Sequence, residues 1–288
     1  MFTANASPDN SGQYQKAERF KKLHTAGSSF VMPNPWDRGT AILMQNAGFK
    51  AIGTTSAGLA FSLGKLDRAQ SVTLEETLEN ARDLVEATQL PVSIDLEDGF
   101  GESADAIMQT IRAAANSGAV GGSIEDYSSD LAHPIRDFAI SVARVEAAVE
   151  AAKRLPFPFT VTARAENFLY GVHDLKDTIA RLKAYRDAGA DVLYAPALPD
   201  AESIRAVCLA IDAPVNVLLG AGNRLSVTEL FALGVTRVSL GSALSRAALG
   251  GFVTALQELQ QHGTCQFLDR AVGYFDVAKL LESGDLPC

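Results

Sequence analysis

Four times in this chain a glycine stands between a helical pattern and an apolar, strand-like run: Ala47-Gly48-Phe49, Ser117-Gly118-Ala119, Ala188-Gly189-Ala190 and Leu233-Gly234-Val235. A glycine just past a helix closes it in the left-handed conformation that other residues resist. Each triplet therefore reads as a helix-to-strand turn, and its repetition predicts a serial βα architecture. The strand candidates are Phe30-Val-Met, Ala51-Ile-Gly-Thr-Thr55, Val92-Ser-Ile-Asp95, Gly122-Ser-Ile-Glu125, Phe159 to Arg164, Val192-Leu-Tyr194, Val215-Asn-Val-Leu218 and Arg237-Val-Ser-Leu240. Helical patterns cover Tyr14 to Thr25, Thr40 to Ala47, Thr73 to Ala87, Asp105 to Ser117, Ile135 to Leu155, Asp174 to Ala188, Ala201 to Ile211, Ser226 to Leu233 and Ser242 to Gln261. Thr73-Leu-Glu75-Glu76 has the spacing of a capping box.

Eight strands, each followed by a helix over roughly 230 residues, predict an α/β fold of the (β/α)8 TIM-barrel kind. A doubly wound open sheet is the alternative, and its strands would be apolar on both faces. Here Ser93/Asp95/Glu97, Ser123/Glu125 and Thr160/Thr162/Arg164/Glu166 each make one polar face by strand alternation. Helices cover a barrel's outside, so the polar face points inward. The expected organisation is a flexible tail over 1–13, a barrel domain over 14–262 and a C-terminal helical extension over 263–288. The extension has Phe267, Val272, Phe275, Ala278 and Leu281 on one stripe and no strand to cover. It would pack on the barrel bottom or on another subunit.

The composition narrows the function classes. The 288 residues carry a net charge of −9, without a Lys/Arg cluster to track phosphates, so nucleic acid is not an expected partner. Met1 to Asn10 lacks the apolar stretch of a signal peptide, and no run approaches 18 apolar residues, so no membrane span is expected. A cytoplasmic protein is the default expectation. Cys208, Cys265 and Cys288 are widely spaced, which argues against a disulfide framework or a thiolate zinc site; Cys208 reads as a small core residue.

The segment Pro91-Val-Ser-Ile-Asp95-Leu-Glu97-Asp-Gly-Phe-Gly101 is the candidate centre of chemistry. Asp95 and Glu97 share a strand face about 7–10 Å apart. On the next strand Glu125 points inward and Asp126 outward. Three inward carboxylates on adjacent strands ask for a hard divalent cation, Mg2+ or Mn2+. An internal network with Arg164 is the alternative. Arg164, at the end of the fifth strand, would clamp a carboxylate or phosphate, or pair with Glu125 or Glu166. Thr54-Thr-Ser56-Ala57-Gly58 is a small hydroxyl-bearing turn at a helix start, which offers backbone N–H groups to an anion. In the polar loop Ser62 to Asp67, Asp67 could swing over the site, and Lys65 and Arg68 could close over an anionic substrate. His133, on the loop after the fourth strand, stands at the barrel mouth, a place that equally suits a plain surface loop. His24 and His262 read as surface helix residues.

In order and at these spacings, Pro35-Trp36-Asp37, Thr55-Ser56-Ala57-Gly58 through Ser62-Leu63-Gly64, Asp95-Leu-Glu97-Asp-Gly99-Phe-Gly101, Ile124-Glu125-Asp126 and Ala163-Arg164-Ala-Glu166 resemble the isocitrate lyase and phosphoenolpyruvate mutase superfamily. The resemblance runs from about Phe30 to Gly251. It implies a modified TIM barrel whose last helix is often exchanged between subunits of a homodimer or homotetramer. It implies Mg2+ held by Asp95, Glu97 and Glu125, largely through waters, with Asp67 nearby. It also implies that Ser56, the Ala57–Gly58 backbone and Arg164, beside Glu166, bind a small anionic substrate, a 2-oxo acid or a phosphonate. An enolate stabilised by the metal and Arg164 would be the common species.

The chain also departs from the family. The lyases carry a catalytic Cys in a Lys-Lys/Arg-Cys-Gly-His motif after strand four, whereas this loop reads Tyr127-Ser-Ser-Asp-Leu-Ala-His133-Pro134. The mutase's gating-loop Lys and Asn are absent, and Ala195-Pro196 stands where the family has His or Glu. The resulting expectation is a Mg2+-dependent enzyme with Asp67, Arg164 and His133 as catalytic candidates. Carbon–carbon cleavage of a 2-oxo acid or 2-hydroxy diacid leads. Mutase or hydrolase chemistry on a P–C bond follows, and a catalytically silent metabolite-binding barrel is the alternative from another class.

Overall fold

A computed structural model describes residues 10–67 and 71–282. Eight strands are found among them: β1 (Phe30–Met32), β2 (Ile52–Gly53), β3 (Val92–Asp95), β4 (Gly121–Glu125), β5 (Thr160–Arg164), β6 (Val192–Tyr194), β7 (Val215–Leu218) and β8 (Arg237–Ser239). All paired neighbours are parallel, in the order β1-β8-β7-β6-β5-β4-β3-β2. At the seam between β1 and β2, Gly53 N–H donates to Pro33 O at 3.0 Å. The Asn34 amide donates to the carbonyls of Gly53 and Thr54, and accepts from Leu240 and Gly241 N–H. One buried side chain thus ties together the ends of β1, β2 and β8. The (β/α)8 barrel expected from the sequence is the fold.

The helices are α1 (Asn10–Leu23), α2 (Arg38–Asn46), α3 (Ser56–Ser62), α4 (Leu74–Ala87), α5 (Ala104–Asn116), α6 (Phe138–Lys153), α7 (Leu175–Asp187), α8 (Ala201–Ala210), α9 (Val227–Ala232), α10 (Ala243–His262) and α11 (Tyr274–Glu282). The capping box at Thr73 and Glu76 forms as its spacing predicts. Gly48, Gly118, Gly189 and Gly234 all take positive φ after their helices. The outward strand residues Ile94, Ile124, Val161, Leu193, Val217 and Val238 pack under these helices in one core. Each fully buried aliphatic side chain there contributes roughly 1.5–3 kcal/mol.

The lower end of the barrel is closed by α1. The helix begins at Asn10, inside the segment expected to be a tail, because Gln13 donates to the carbonyls of Ala115 and Ala119. Its Phe20 is fully buried. Phe20 approaches so closely that a Cβ on Gly121 would lie 2.9 Å from its ring, which is why β4 opens on glycine. Phe20, His24 and Phe30 make mutual edge-to-face contacts. His24 is therefore buried, not on the surface as its helical position suggested.

At the other end of the chain, Asn46 on α2 donates to the Leu280 and Leu281 carbonyls of α11. The extension is a 3-10 turn over Gln266–Arg270 followed by α11, rather than one helix. No helix among the described residues is long and apolar enough to cross a membrane.

Candidate active site

The inward faces of the strands line a cavity of about 230 Å3 at the C-terminal end of the barrel. Its walls include Thr54, Ser56 and Ala57 after β2, Ser93 and Asp95 on β3, Ser123 on β4, Arg164 on β5, and Tyr194, Asn216, Arg237 and Ser239 on β6–β8; Asp67 stands at the rim. This is where a (β/α)8 barrel builds its site.

Arg164 organises the mouth. Its Nη1 pairs with Asp95 Oδ1 at 3.0 Å, Nη2 with Glu125 Oε2 at 3.0 Å and Nε with Glu166 Oε1 at 2.8 Å. The β4–β5 register sets Glu125 beside Arg164, and alternation turns both inward. Burial works against the Arg164 charge, but Glu166, Glu125 and Asp95 more than offset it and hold its pKa well above the usual value. Burial drives the Glu125 carboxyl well up, against the pull of Arg164. Glu166 is raised for the same reason. The Arg164 guanidinium also lies 5.1 Å from the centre of the Tyr194 ring. Tyr194 itself is pushed to about 12 by burial.

Asp95 is the carboxylate that faces the cavity. Its Oδ2 accepts from Ser56 N–H and Oγ at 3.3 and 3.0 Å, and its Oδ1 accepts from Ser123 Oγ at 3.2 Å. The predicted partners divide differently. Strand alternation stops at Asp95, because Glu97 sits at φ 46° in the turn that follows, and Glu97 does not line the cavity. Glu125 is 9% exposed and is turned to Arg164. Among the described residues no three His, Cys, Asp or Glu side chains form a metal-holding group.

Of the three expected carboxylates Asp95 lines the cavity directly, while Glu97 in the turn and Glu125 beside Arg164 stand next to it, and the charges of Asp95 and Glu97 both act on Glu125. This arrangement suits Mg2+ held largely through waters. That ion keeps several waters and is held by one or two carboxylates plus substrate. Asp95 on the wall and Asp67 on the rim are two such groups facing one cavity. Burial, then the charge of Asp95, raises the Asp67 pKa, as expected of two acids that share a space.

The other candidates are placed as follows. Ser56 and Ala57 line the cavity. Gly58 does not, and its N–H donates to Thr55 Oγ1, the cap of α3, at 3.2 Å, so that donor serves the helix. Glu166 is fully buried behind Arg164, with its N–H donating to Asp126 Oδ1 and its Oε2 without a partner; it holds Arg164 and lies outside the cavity. His133 is 85% exposed on its loop, beside Asp130, and does not reach the cavity. Lys65 pairs with Glu76 instead of facing the site. Arg68 and Cys288 lie outside the described residues. Asp126, outward as alternation requires, accepts from the Tyr185 hydroxyl at 2.6 Å and pairs with Arg181 at 3.3 Å, which fixes the end of β4 from behind.

Sequence reasoning missed Tyr194, Asn216, Arg237 and Ser239. The signal was a polar residue inside an otherwise apolar strand, as in Val215-Asn-Val and Arg237-Val-Ser. The alternation used for β3–β5 would have turned these inward too.

A family model described as phosphoenolpyruvate phosphomutase matches residues 20–260. The chain is 30% identical over 270 residues to a probable 2-methylisocitrate lyase 1 of Corynebacterium glutamicum, covering 89% of this chain and 86% of the relative. A Burkholderia cenocepacia J2315 crystal structure with the provisional description lyase/mutase is 53% identical, with TM-score 0.91 and coverage of 95% of this chain and 98% of that one. A 2,3-dimethylmalate lyase, described as a PEP mutase/isocitrate lyase superfamily member, is 25% identical with TM-score 0.81, over 96% of each chain. These relatives are enzymes by name, and they support the carbon–carbon lyase expectation. The matched span contains all eight strands and the cavity they enclose, so the chain belongs to the phosphoenolpyruvate mutase/isocitrate lyase superfamily.

Proposed function

We propose that the protein is a Mg2+-dependent enzyme that cleaves a carbon–carbon bond in a small 2-oxo acid or 2-hydroxy diacid. The observation that carries this reading is Asp95. Among the described residues it is the one carboxylate on the cavity wall proper, and five groups fix it: Ser56 N–H, Ser56 Oγ, Ser123 Oγ, Glu97 N–H and Arg164. Asp95 would hold the ion through water and substrate oxygens, with Asp67 across the rim. The ion would supply positive charge to the substrate oxygen on which negative charge develops.

The chain's own residues do the rest. Arg164 keeps the Asp95 carboxylate in place. Ser56 holds Asp95 with both its donors, and Ala57 beside it offers its N–H at the first turn of α3 to an anionic group. Asp67 makes no hydrogen bond or ion pair with the described residues and stands at the rim, placed to exchange a proton with bound substrate. Because the matching family model is that of a phosphomutase, P–C chemistry on a phosphonate is the second reading.

The test is a panel of 2-oxo diacids, 2-hydroxy diacids and phosphonopyruvate, with and without Mg2+. Calorimetric binding of oxalate serves as a readout independent of turnover. Wild-type protein should bind oxalate more tightly with Mg2+ and turn over at least one diacid. Asp95→Ala should lose both properties. Full activity in Asp95→Ala would remove the metal role, and binding without turnover across the panel would make the protein a silent metabolite-binding barrel.

The assembly is also a proposal. Only Ser245 of α10 is buried, while Leu249, Phe252, Val253, Leu256 and Leu259 are exposed. The helix that follows β8 thus leaves its own barrel wall uncovered, and a second copy of the chain offers a helix of matching kind. Light scattering should find a dimer or tetramer, and Phe252→Glu should shift it towards monomer. A monomeric wild type would exclude the exchange.

A further inference from the structure

We propose that the buried guanidinium of Arg237 is a second anion subsite at the floor of the cavity. It would take the far carboxylate of a substrate whose oxo- or hydroxy-acid end lies at Asp95. The inference rests on the reading above for which end of the substrate lies at the mouth.

Arg237 is 2% exposed and lines the cavity from below. Its donors meet three neutral groups. Nε donates to Asn216 Oδ1 at 2.8 Å, Nη2 to Thr162 Oγ1 at 3.0 Å, and Nη1 lies 3.3 Å from His24 Nε2. No Asp or Glu among the described residues pairs with it. Every other buried or nearly buried arginine has a carboxylate within 4.0 Å: Arg136 and Arg144 have Glu102, Arg181 has Asp126, and Arg164 has three. A buried cation without a counterion is costly, and an apolar side chain would fill the barrel interior at lower cost. Burial accordingly brings the Arg237 pKa down to about 10. The place that lacks a counterion is the blind end of the cavity, where an anionic ligand would supply it.

The cavity is polarised. At the mouth, carboxylates outnumber the guanidinium they surround, which suits a cation and the chelating end of a ligand. At the floor the charge is positive and unmatched. Thr162, which accepts from Arg237, lies two residues before Arg164 on β5 and on the same face, so the two levels are about 6–7 Å apart. That is the scale of a short dicarboxylate. Asn216 links the floor to the wall, because its amide donates to Ser239 Oγ at 2.9 Å. The subsite would therefore select diacids over monoacids of equal length.

Malate and 2-hydroxybutyrate make the matched pair, since they differ only in the far carboxylate. Binding of each is measured calorimetrically with Mg2+. Wild-type protein should prefer malate by roughly ten- to hundredfold, the worth of a charge-assisted contact. Arg237→Met should erase that preference and leave 2-hydroxybutyrate within about threefold of wild type, and Arg237→Lys should keep part of it. Equal wild-type affinity for the two acids overturns the proposal without any variant, so a poorly folding Arg237→Met does not block the test. Equal weakening of both ligands in Arg237→Met or Arg237→Lys overturns it as well. Oxalate separates the two levels of argument. Failure of oxalate to bind with Mg2+ sinks the proposed function, whereas oxalate binding without a malate preference sinks only the Arg237 subsite.

Discussion

Two arginines point into this barrel, and they are kept in opposite ways. Arg164, at the mouth, is surrounded by Asp95, Glu125 and Glu166. Arg237, at the floor, touches only neutral groups. The same desolvation acts on both, yet burial lowers the Arg237 pKa while three carboxylates raise that of Arg164. The mouth is a closed electrostatic unit that exists without ligand, built to hold Asp95 still. The floor is incomplete. A rigid mouth in which carboxylates outnumber the one guanidinium suits the positioning of a metal shell, and a floor lacking its anion suits the recognition of a second carboxylate.

The largest expected effect comes from opening the mouth. Arg164→Met leaves Glu125 and Glu166 buried without a cation, and Glu166 Oε2 already lacks a partner. Removing one member of such a buried set costs about 3–5 kcal/mol. Urea unfolding at neutral pH should show a loss of that size, and acidification should recover part of it as the orphaned carboxyls take up protons. A loss below about 1 kcal/mol would mean that the mouth is not the closed unit described.

The floor should answer to acid in the opposite sense. His24 accepts from Arg237 through Nε2, while Nδ1 donates to Phe20 O at 2.9 Å. Burial, then the Arg237 charge, lowers its pKa to about 3. Unfolded chain binds a proton at His24 below about pH 6.5, whereas the folded protein does not until near pH 3. Stability from this group is therefore complete above pH 6.5 and falls as pH drops from 6.5 towards 3. At pH 5 the loss is about 2 kcal/mol. His24→Asn should flatten that part of the stability-against-pH curve relative to wild type. Parallel curves for the two proteins would show that His24 is not held neutral against Arg237.

The difference between the two arginines also marks how far the sequence could be read. The barrel was legible because its signals are local: four helix-closing glycines, a capping box at Thr73, and one polar face per strand. The mouth was half legible. Alternation correctly turned Asp95, Glu125 and Arg164 inward, and turned Asp126 outward onto Tyr185. At Glu97 a positive φ ends the period-2 pattern just after Asp95, although the Glu97 charge still acts on Glu125. Alternation also could not show that Glu166 is sealed behind Arg164. Of the floor only Thr162 was read, as part of the inward face of β5. The floor's composition depends on α1 packing back on strands more than 200 residues away, as in the pairing of His24 with Arg237. A histidine in a polar helix carries no mark of such a contact.

The smallest expected effect separates redundancy from scarcity. Asp95 accepts from Ser123 Oγ, but also from Ser56 N–H, Ser56 Oγ and Arg164. Ser123→Ala removes one donor of several, so its cost should stay under about 1 kcal/mol. Thr162→Val removes an acceptor from a buried cation that has three neutral partners in all. Its cost should reach about 1.5 kcal/mol, the lower range for a hydrogen bond to a charged group. Saturating malate with Mg2+ should shrink the Thr162→Val deficit and leave that of Ser123→Ala unchanged, because an anion at the floor replaces what Arg237 has lost. Thermal unfolding of the two variants with and without malate reads both differences. A Thr162→Val deficit that malate does not relieve would place the ligand at the mouth alone, and the floor would then be a structural feature of the barrel interior.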